Sequence, residues 1–160
     1  MKVSRTWLQK YFAADLPSVE ELAELLTFHA FEIEEAHGDL LDVKILPDRA
    51  AYALSHRGIA KEVAALVGQP VKEDPLRMPL PEFPTASALS VSIEDGHECF
   101  RYMGAIVRGV SVGPSPAWLK EALEAVGQRS INNVVDATNY ARWDRPLEER
   151  EPIAWEDAVR

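Results

Sequence analysis

The sequence predicts an α+β protein in which a small N-terminal α+β unit and a second α/β unit, with a short sheet and two helices, are joined by a proline-rich linker. Apolar residues recur at helical spacing in several stretches, and they alternate with polar residues in short stretches between them. Five prolines fall between residues 69 and 84, where they would break a helix and remove backbone donors from a sheet. We therefore expect units at residues 1–68 and 85–160, joined by a semi-rigid linker at residues 69–84.

Three helices are predicted in the N-terminal unit. Ser4 can cap a first helix, whose apolar residues follow at the spacing of one buried stripe. Ser18 and Glu21 have the Ser-x-x-Glu form of a capping box and predict the start of a second helix. A third amphipathic helix is expected to begin after Ser55 and to end at Gly68.

A β-hairpin is predicted between the second and third helices. Phe31 and Ile33 alternate with glutamates, as the residues of a half-buried strand do. Leu41 and Val43 alternate with polar residues in the same way, and Gly38 lies in the turn between the two stretches.

The second unit is expected to contain two or three strands and then a helix. Residues 89–93 alternate between apolar residues and serine, and residues 100–112 are rich in apolar and β-branched side chains. Ser115 is predicted to cap the helix, with Pro116 at its first position and Gly127 at its end.

The composition limits the classes of function. A net charge of −9 without a basic patch repels phosphate backbones, so we do not expect this chain alone to bind nucleic acid. No apolar run approaches the roughly 20 residues of a membrane span, and the lone Cys99 is typical of a reducing compartment, so the expected location is the cytoplasm. His97 and Cys99 are too few ligands for zinc, and no metal site is predicted.

Residues 130–143, with the sequence SINNVVDATNYARW, carry the most distinctive polar pattern. In a helix, Asn132, Asp136 and Asn139 would lie on one face as a polar ridge. The opposite side would be formed by Ile131, Val134, Val135 and Thr138. Two interpretations remain open at this point: the polar groups cap turns and face water, or the ridge lines a binding pocket.

Residues 131–140 resemble the INNVVDVTNY motif of the β subunit of bacterial phenylalanyl-tRNA synthetase, with one conservative change. Residues 1–8 with Phe31 and Glu32 are similar to the opening pattern of that subunit. Residues 46–49 and 54–62 resemble its TPNR and LSxxGIARE segments. The matches together extend from the start of the chain to about Asp144.

The resemblance implies a B1-like unit at residues 1–68 and a truncated B3/B4-like domain at residues 85–160. In that family a tRNA-binding OB-fold interrupts the first unit, and the B3/B4 domain holds an editing pocket that hydrolyses tyrosine mischarged onto the phenylalanine tRNA. Only a short link around residues 37–41 stands where the OB-fold would be inserted, so we expect that fold to be absent. The family's histidine-containing GQPLHAFD segment is also not retained at residues 144–150.

The resemblance also implies the site residues and the partners. Thr138 and Asn139 correspond to editing-pocket residues, and Asn132 and Asp136 belong to the same ridge; no catalytic residue is assigned. ATP and magnesium would belong to the α subunit of the family, so no cofactor is expected in this chain. We expect a non-catalytic scaffold or interaction module whose partner is the synthetase α subunit or a second copy. The alternative is a residual editing-type hydrolase or aromatic amino-acid binder that uses the ridge, and whether the chain is an enzyme stays open.

Overall fold

The computed structural model describes residues 1–72, 74, 79, 88–97, 99–100, 102 and 104–145. In chain order the elements are β1 (Lys2–Ser4), α1 (Arg5–Gln9), α2 (Val19–His29), β2 (Ile33–His37), β3 (Leu40–Val43), a 3₁₀ helix (Pro47–Arg49), α3 (Ala50–Ala53), α4 (His56–Val67), α5 (Ala117–Ala125) and α6 (Asn133–Asp144). The α+β class is therefore confirmed. The division into two units with a linker between them stays a prediction.

The predicted caps of the first helices are confirmed. The Ser4 hydroxyl accepts a hydrogen bond from the backbone of Trp7, and Ser18 and Glu21 form a reciprocal capping box. Ser55 caps α4, and Gly68 ends that helix in the left-handed conformation. Each cap satisfies backbone groups that the helix itself leaves unpaired, which explains why these boundaries could be read from local sequence.

The described sheet has three antiparallel strands in the order β1-β3-β2. The predicted hairpin is confirmed, with its turn at Gly38, which has a φ of 59°. Val3 lies opposite Leu41, and both side chains are fully buried. Phe31 is also buried but precedes β2, so this strand begins two residues later than the alternation indicated.

One hydrophobic core joins the sheet to the helices. Its side chains come from β1, β3 and helices α1, α2 and α4, and include Trp7, Leu22, Leu26, Leu41 and Ile59. Val126, which follows α5, belongs to the same core, and Tyr140 and Trp143 of α6 pack against it. The two C-terminal helices are therefore docked on the N-terminal elements, and α5 and α6 also contact each other.

The strands predicted at residues 89–93 and 100–112 are not observed in the part of those segments that the structure describes. Across the part of residues 88–112 that the structure describes, no residue is in a strand. Phe100 is 88% exposed and Val112 is 69% exposed. An alternating apolar segment becomes a strand only when a neighbouring strand takes its hydrogen bonds and a second layer covers its apolar face. The alternation at residues 89–93 indicates a segment that could form a strand, but it does not show whether a neighbouring strand is present.

The helix predicted after Ser115 is confirmed, but its cap is not. Pro116 occupies the N-cap position of α5, and no side chain caps this helix. The Ser115 hydroxyl instead donates a hydrogen bond to Asp136 of α6. The Ser115 hydroxyl therefore bonds to the charged Asp136 carboxylate and does not cap the backbone N–H groups at the start of α5.

The remaining expectations concern the linker, the last residues and the membrane. Most of residues 73–87 and all of 146–160 lie outside the described residues. Within the linker, the Asp74 carboxylate accepts two hydrogen bonds from the Arg57 guanidinium, at 2.8 and 2.6 Å. None of the described helices is both long enough and apolar enough to cross a bilayer.

Candidate functional site

The candidate site lies at the start of α6, where Asn132 acts as the N-cap. Its side-chain oxygen accepts hydrogen bonds from the backbone N–H groups of Val134 and Val135, at 3.1 and 3.0 Å. Its own backbone is extended, with a φ of −159°. The prediction that Asn132 lies on a helical ridge is therefore wrong, because the helix starts one residue later.

Asn133 was not singled out by the sequence pattern, yet it holds two segments together. Its side-chain nitrogen donates to the carbonyl oxygen of Ser111 at 2.9 Å, and its side-chain oxygen accepts from the N–H of Gly113 at 3.0 Å. Its backbone N–H also donates to the carbonyl oxygen of Gly113. The amide thus does for residues 111–113 what a neighbouring strand would do, because it offers one donor and one acceptor in a plane.

Asp136 is fully buried and ties three positions to α6. Its carboxylate accepts hydrogen bonds from the hydroxyls of Ser115 and Ser130 and from the backbone N–H of Ile131. Burial raises the pKa of this carboxyl, but the hydrogen bonds that it accepts outweigh burial and hold the pKa below its ordinary value. The group is thereby kept as an ionised acceptor with its oxygens occupied.

Thr138 and Asn139 take no part in this network. The Thr138 side chain is exposed, and its hydroxyl donates to the carbonyl oxygen of Val135, one turn earlier, at 2.6 Å. Asn139 is half-buried, and its side chain makes no hydrogen bond to the described part of the chain. Ile131 precedes α6 and is 64% exposed, so it is not part of the predicted apolar side of the helix. The structure therefore does not bring the four predicted site residues together on one ridge.

The other end of α6 docks on the N-terminal elements through stacked rings. The Trp7 indole lies between the His56 imidazole, at a centroid distance of 4.1 Å, and the Tyr140 ring, at 4.4 Å. Trp118 of α5 meets Tyr140 edge-on at 5.3 Å. Offset-stacked and edge-to-face ring pairs add attraction beyond the area that they bury. This four-ring stack therefore fixes α5 and α6 against α1 and α4.

Asp144 is the polar centre of the same contact. One of its carboxylate oxygens accepts from the Trp7 indole N–H at 2.8 Å and from the Tyr11 hydroxyl at 2.6 Å. Burial and the neighbouring Asp144 charge raise the pKa of the Tyr11 hydroxyl far above its ordinary value. Tyr11 is therefore a permanent donor to this carboxylate.

His56 is completely buried, and both of its ring nitrogens are used. The backbone N–H of Ser4 donates to Nε2 at 3.1 Å, so Nε2 carries no proton and Nδ1 donates to the carbonyl oxygen of Trp143 at 2.9 Å. Burial lowers the pKa of the imidazole to about 4. His56 thus links β1 to the end of α6 as a neutral ring.

Lys10 places its ammonium over the same rings. Its Nζ lies 5.5 Å from the centroids of Trp118 and Tyr140 and 5.9 Å from that of Trp7. Burial lowers the pKa of the amine, and the Asp144 charge partly opposes this effect. The cation–π contacts keep a partly desolvated cation at the edge of the stack.

Two shallow cavities are described, and neither is lined by the α6 residues. One lies along α2, and the other lies between Phe31, Lys44 and Arg49. Among the described residues, no group of three or more His, Cys, Asp or Glu side chains could hold a metal ion.

Comparison with known proteins connects this arrangement to a family. The family model described as the B3/4 domain matches residues 98–158, which include α5 and α6. A phenylalanine–tRNA ligase β subunit of Anaeromyxobacter dehalogenans is 52% identical over 106 residues, which cover 63% of this chain and 12% of that protein. The chain is homologous to part of the phenylalanine–tRNA ligase β subunit. The resemblance to the phenylalanyl-tRNA synthetase β subunit is thereby confirmed.

Further β subunits match over a similar or larger part of the chain. The β subunit of Rhodopirellula baltica is 38% identical over 144 residues, which cover 88% of this chain and 21% of that protein. The β subunit of Synechocystis sp. is 43% identical over 114 residues. This homologue therefore spans about an eighth to a fifth of the length of the curated β subunits that it matches.

Proposed function

We propose that this chain is a non-catalytic scaffold or interaction module related to tRNA aminoacylation and editing, and that it acts in the cytoplasm. The observation that carries the proposal is the use of the motif's own polar groups. Asn132 caps α6 itself. Asn133 and Asp136 direct their side-chain hydrogen bonds to residues 111–115 and 130–131. The motif then acts as an internal brace, which keeps α6 in place.

Ester hydrolysis makes demands that this arrangement does not meet. An editing site needs a group that positions water and donors aimed at the developing oxyanion. The Asp136 oxygens are occupied by three donors, and the Thr138 hydroxyl donates to its own helix. The buried His56 is held neutral between two backbone groups and is remote from solvent. These contacts support a structural role for residues 131–140.

The proposed partner is a phenylalanine–tRNA ligase α subunit. The support is that the relatives are β subunits, which implies that they are parts of an assembly. Size-exclusion chromatography of the chain mixed with that α subunit tests the interaction. We expect co-elution, and separate elution at micromolar concentrations would overturn this partner.

Hydrolysis is tested directly with a phenylalanine tRNA that carries tyrosine. We expect the ester to be lost at the rate seen in buffer alone. Faster loss that disappears in Thr138→Val or Asn139→Ala would overturn the non-catalytic role. The exposed Thr27→Val is a matched control, since it removes a helical threonine hydroxyl outside the motif.

The alternative function is a residual editing-type hydrolase or an aromatic amino-acid binder. The observation that favours it is that the Thr138 side chain is exposed and the Asn139 amide is not engaged by the described part of the chain. Calorimetric titration with phenylalanine and with tyrosine tests it. Binding that is lost in Asn139→Ala would support the alternative, and the absence of heat with both amino acids would overturn it.

A further inference from the structure

Helix α2 has a second face that the core does not use. Its core face carries Val19, Leu22 and Leu26, which are all buried. At about 100° per residue, Phe28 points to the opposite side of the helix, and the half-buried Leu25 lies on the flank between Phe28 and the core face. Phe28 is 74% exposed, although the rest of the helix is well capped and packed. Phe28 and the neighbouring Leu25 thus place an apolar patch on the outer face of α2.

This outer face forms one side of a groove of about 450 Å³. The groove is lined by Pro17, Glu21, Glu24, Leu25, Phe28 and His29. A space of this size accommodates one or two large side chains. Its floor is apolar, and its two acidic residues stand on α2 beside that floor.

The charges around the groove define the chemistry of its occupant. Glu21 and Glu24 are its carboxylates, and the lining contains neither lysine nor arginine. The nearby Arg5 donates to the carbonyl oxygens of Leu16 and Pro17, so its guanidinium is directed into the chain's own backbone. The hydrogen bonds between Glu21 and Ser18 lower the pKa of the Glu21 carboxyl, which keeps this rim negative. An apolar floor with an acidic rim complements an apolar side chain flanked by cations.

We propose that this groove binds a basic segment of a partner protein, one that presents a large apolar side chain between lysines or arginines. The apolar side chain packs on Phe28, Leu25 and Pro17, while the flanking cations meet Glu21 and Glu24. This is helix-face recognition, in which one or two anchors supply most of the affinity. The proposal rests on the interaction-module role proposed above and assigns that role a surface away from α6.

Binding is measured by fluorescence anisotropy with three labelled synthetic peptides of equal length. One contains lysine with leucine and tryptophan, one contains lysine with serine, and one contains glutamate with leucine and tryptophan. We expect the first peptide to bind at least about tenfold more tightly than either of the others, because each of the others lacks one of the two features. Equal affinity for the two lysine peptides would reduce the interaction to unspecific attraction by an acidic protein and would overturn the proposal.

Matched variants locate the site. Phe28→Ala is compared with Phe100→Ala, since both remove an exposed phenylalanine ring. Glu24→Gln is compared with Glu20→Gln, since both glutamates are exposed on α2 but only Glu24 lines the groove. We expect Phe28→Ala and Glu24→Gln to weaken binding of the first peptide about five- to tenfold and each control to change it less than twofold. Equal effects within either pair would overturn the assignment to this groove.

Sedimentation analysis tests whether a second copy of this chain occupies the groove. A dimer that becomes a monomer on Phe28→Ala would show that a second copy fills the groove, and it would overturn the proposal of a basic partner. Failure here is distinct from failure of the proposed function. Hydrolysis of tyrosyl-tRNA by a chain that binds the first peptide would overturn the non-catalytic role and leave the groove assignment standing.

Discussion

The indole N–H of Trp7 donates to the carboxylate of Asp144 across a sequence separation of 137 residues. Both residues are buried, and the Tyr11 hydroxyl shares the same carboxylate oxygen. This one contact joins the first helix of the chain to the last described helix. The docking of α6 therefore depends on the Asp144 carboxylate, which lies among the aromatic side chains of Trp7 and Tyr11.

Asp144→Ala is expected to lower the free energy of unfolding by about 2 to 4 kcal/mol, because it leaves the buried Trp7 indole N–H without an acceptor and leaves the Tyr11 hydroxyl only the more distant backbone carbonyl of residue 144, at 3.3 Å. Urea denaturation followed by tryptophan fluorescence measures this loss. Asp15→Ala, at an exposed carboxylate, is the control and should stay within about 0.5 kcal/mol of the parent protein. A loss below about 1 kcal/mol in Asp144→Ala would mean that water replaces the carboxylate.

Acidification is expected to destabilise the protein through His56. The unfolded imidazole has its ordinary pKa of 6.5, whereas burial lowers the folded pKa to about 4, so between these values the unfolded state binds more protons. Stability therefore falls as the pH drops from 6.5 to about 4, and each pKa difference of one corresponds to about 1.4 kcal/mol, so the loss approaches about 3 kcal/mol. The folded pKa of about 4 includes the effects of burial and Lys10, which lower it, and of Asp144 and Asp39, which raise it.

His56→Gln tests the origin of this pH dependence. A glutamine can accept from the Ser4 N–H and donate to the Trp143 carbonyl, but it does not titrate. We expect the variant to be less stable at pH 7, because it loses the ring stacked on Trp7, and to show a flatter pH profile in denaturant titrations from pH 4 to 7. An unchanged profile would assign the acid sensitivity to other groups.

Gly58→Ala is expected to destabilise the protein by about 3 kcal/mol or more, because an added Cβ would lie 1.8 Å from the carbonyl oxygen of Tyr52. The clashing atom belongs to the backbone and cannot rotate away. Thermal or urea denaturation measures the change. Gly96→Ala is the matched control, since its Cβ would meet no atom within 4 Å. Similar stability of the two variants would show that α3 moves away from α4 at little cost.

Asp136→Ala and Asn139→Ala separate the bracing role from a site role. The first variant removes the acceptor of Ser115, Ser130 and Ile131, and we expect it to lower the free energy of unfolding by about 2 to 4 kcal/mol. The second should change it by less than about 0.5 kcal/mol. Hydrogen exchange of the Ile131 amide provides a local measurement. Equal stability of the two variants would contradict the brace.

Features set by a few neighbouring residues could be predicted from the sequence. The capping box of Ser18 and Glu21, the end of α4 at Gly68 and the turn at Gly38 each depend on contacts within four residues. The short length of α1 could not be predicted, because Tyr11 and Phe12 keep the helical spacing but are buried after the helix has ended.

Features that depend on distant contacts could not be predicted. Nothing near His56 in sequence indicates that Ser4 and Trp143 engage its two nitrogens. Asp136 was recognised as unusual, but its donors come from separate segments, and Asn133 was missed because its partners lie about 20 residues earlier. Residues 89–93 and 100–112 have strand-like composition, and only the structure reveals that their described residues lack strand neighbours.

The pairing of β1 with β3 has a consequence for synthesis on the ribosome. Once residue 43 has emerged, the sheet is complete and α1 and α2 are already present, and α4 follows within the next 24 residues of the chain. The nascent N-terminal elements can therefore collapse while α6 is still untranslated. During that interval the indole N–H of Trp7 and the hydroxyl of Tyr11 await an acceptor that only the arrival of Asp144 provides. Docking of α6 on Trp7 and Tyr11 therefore follows the synthesis of the sheet and of α1, α2 and α4.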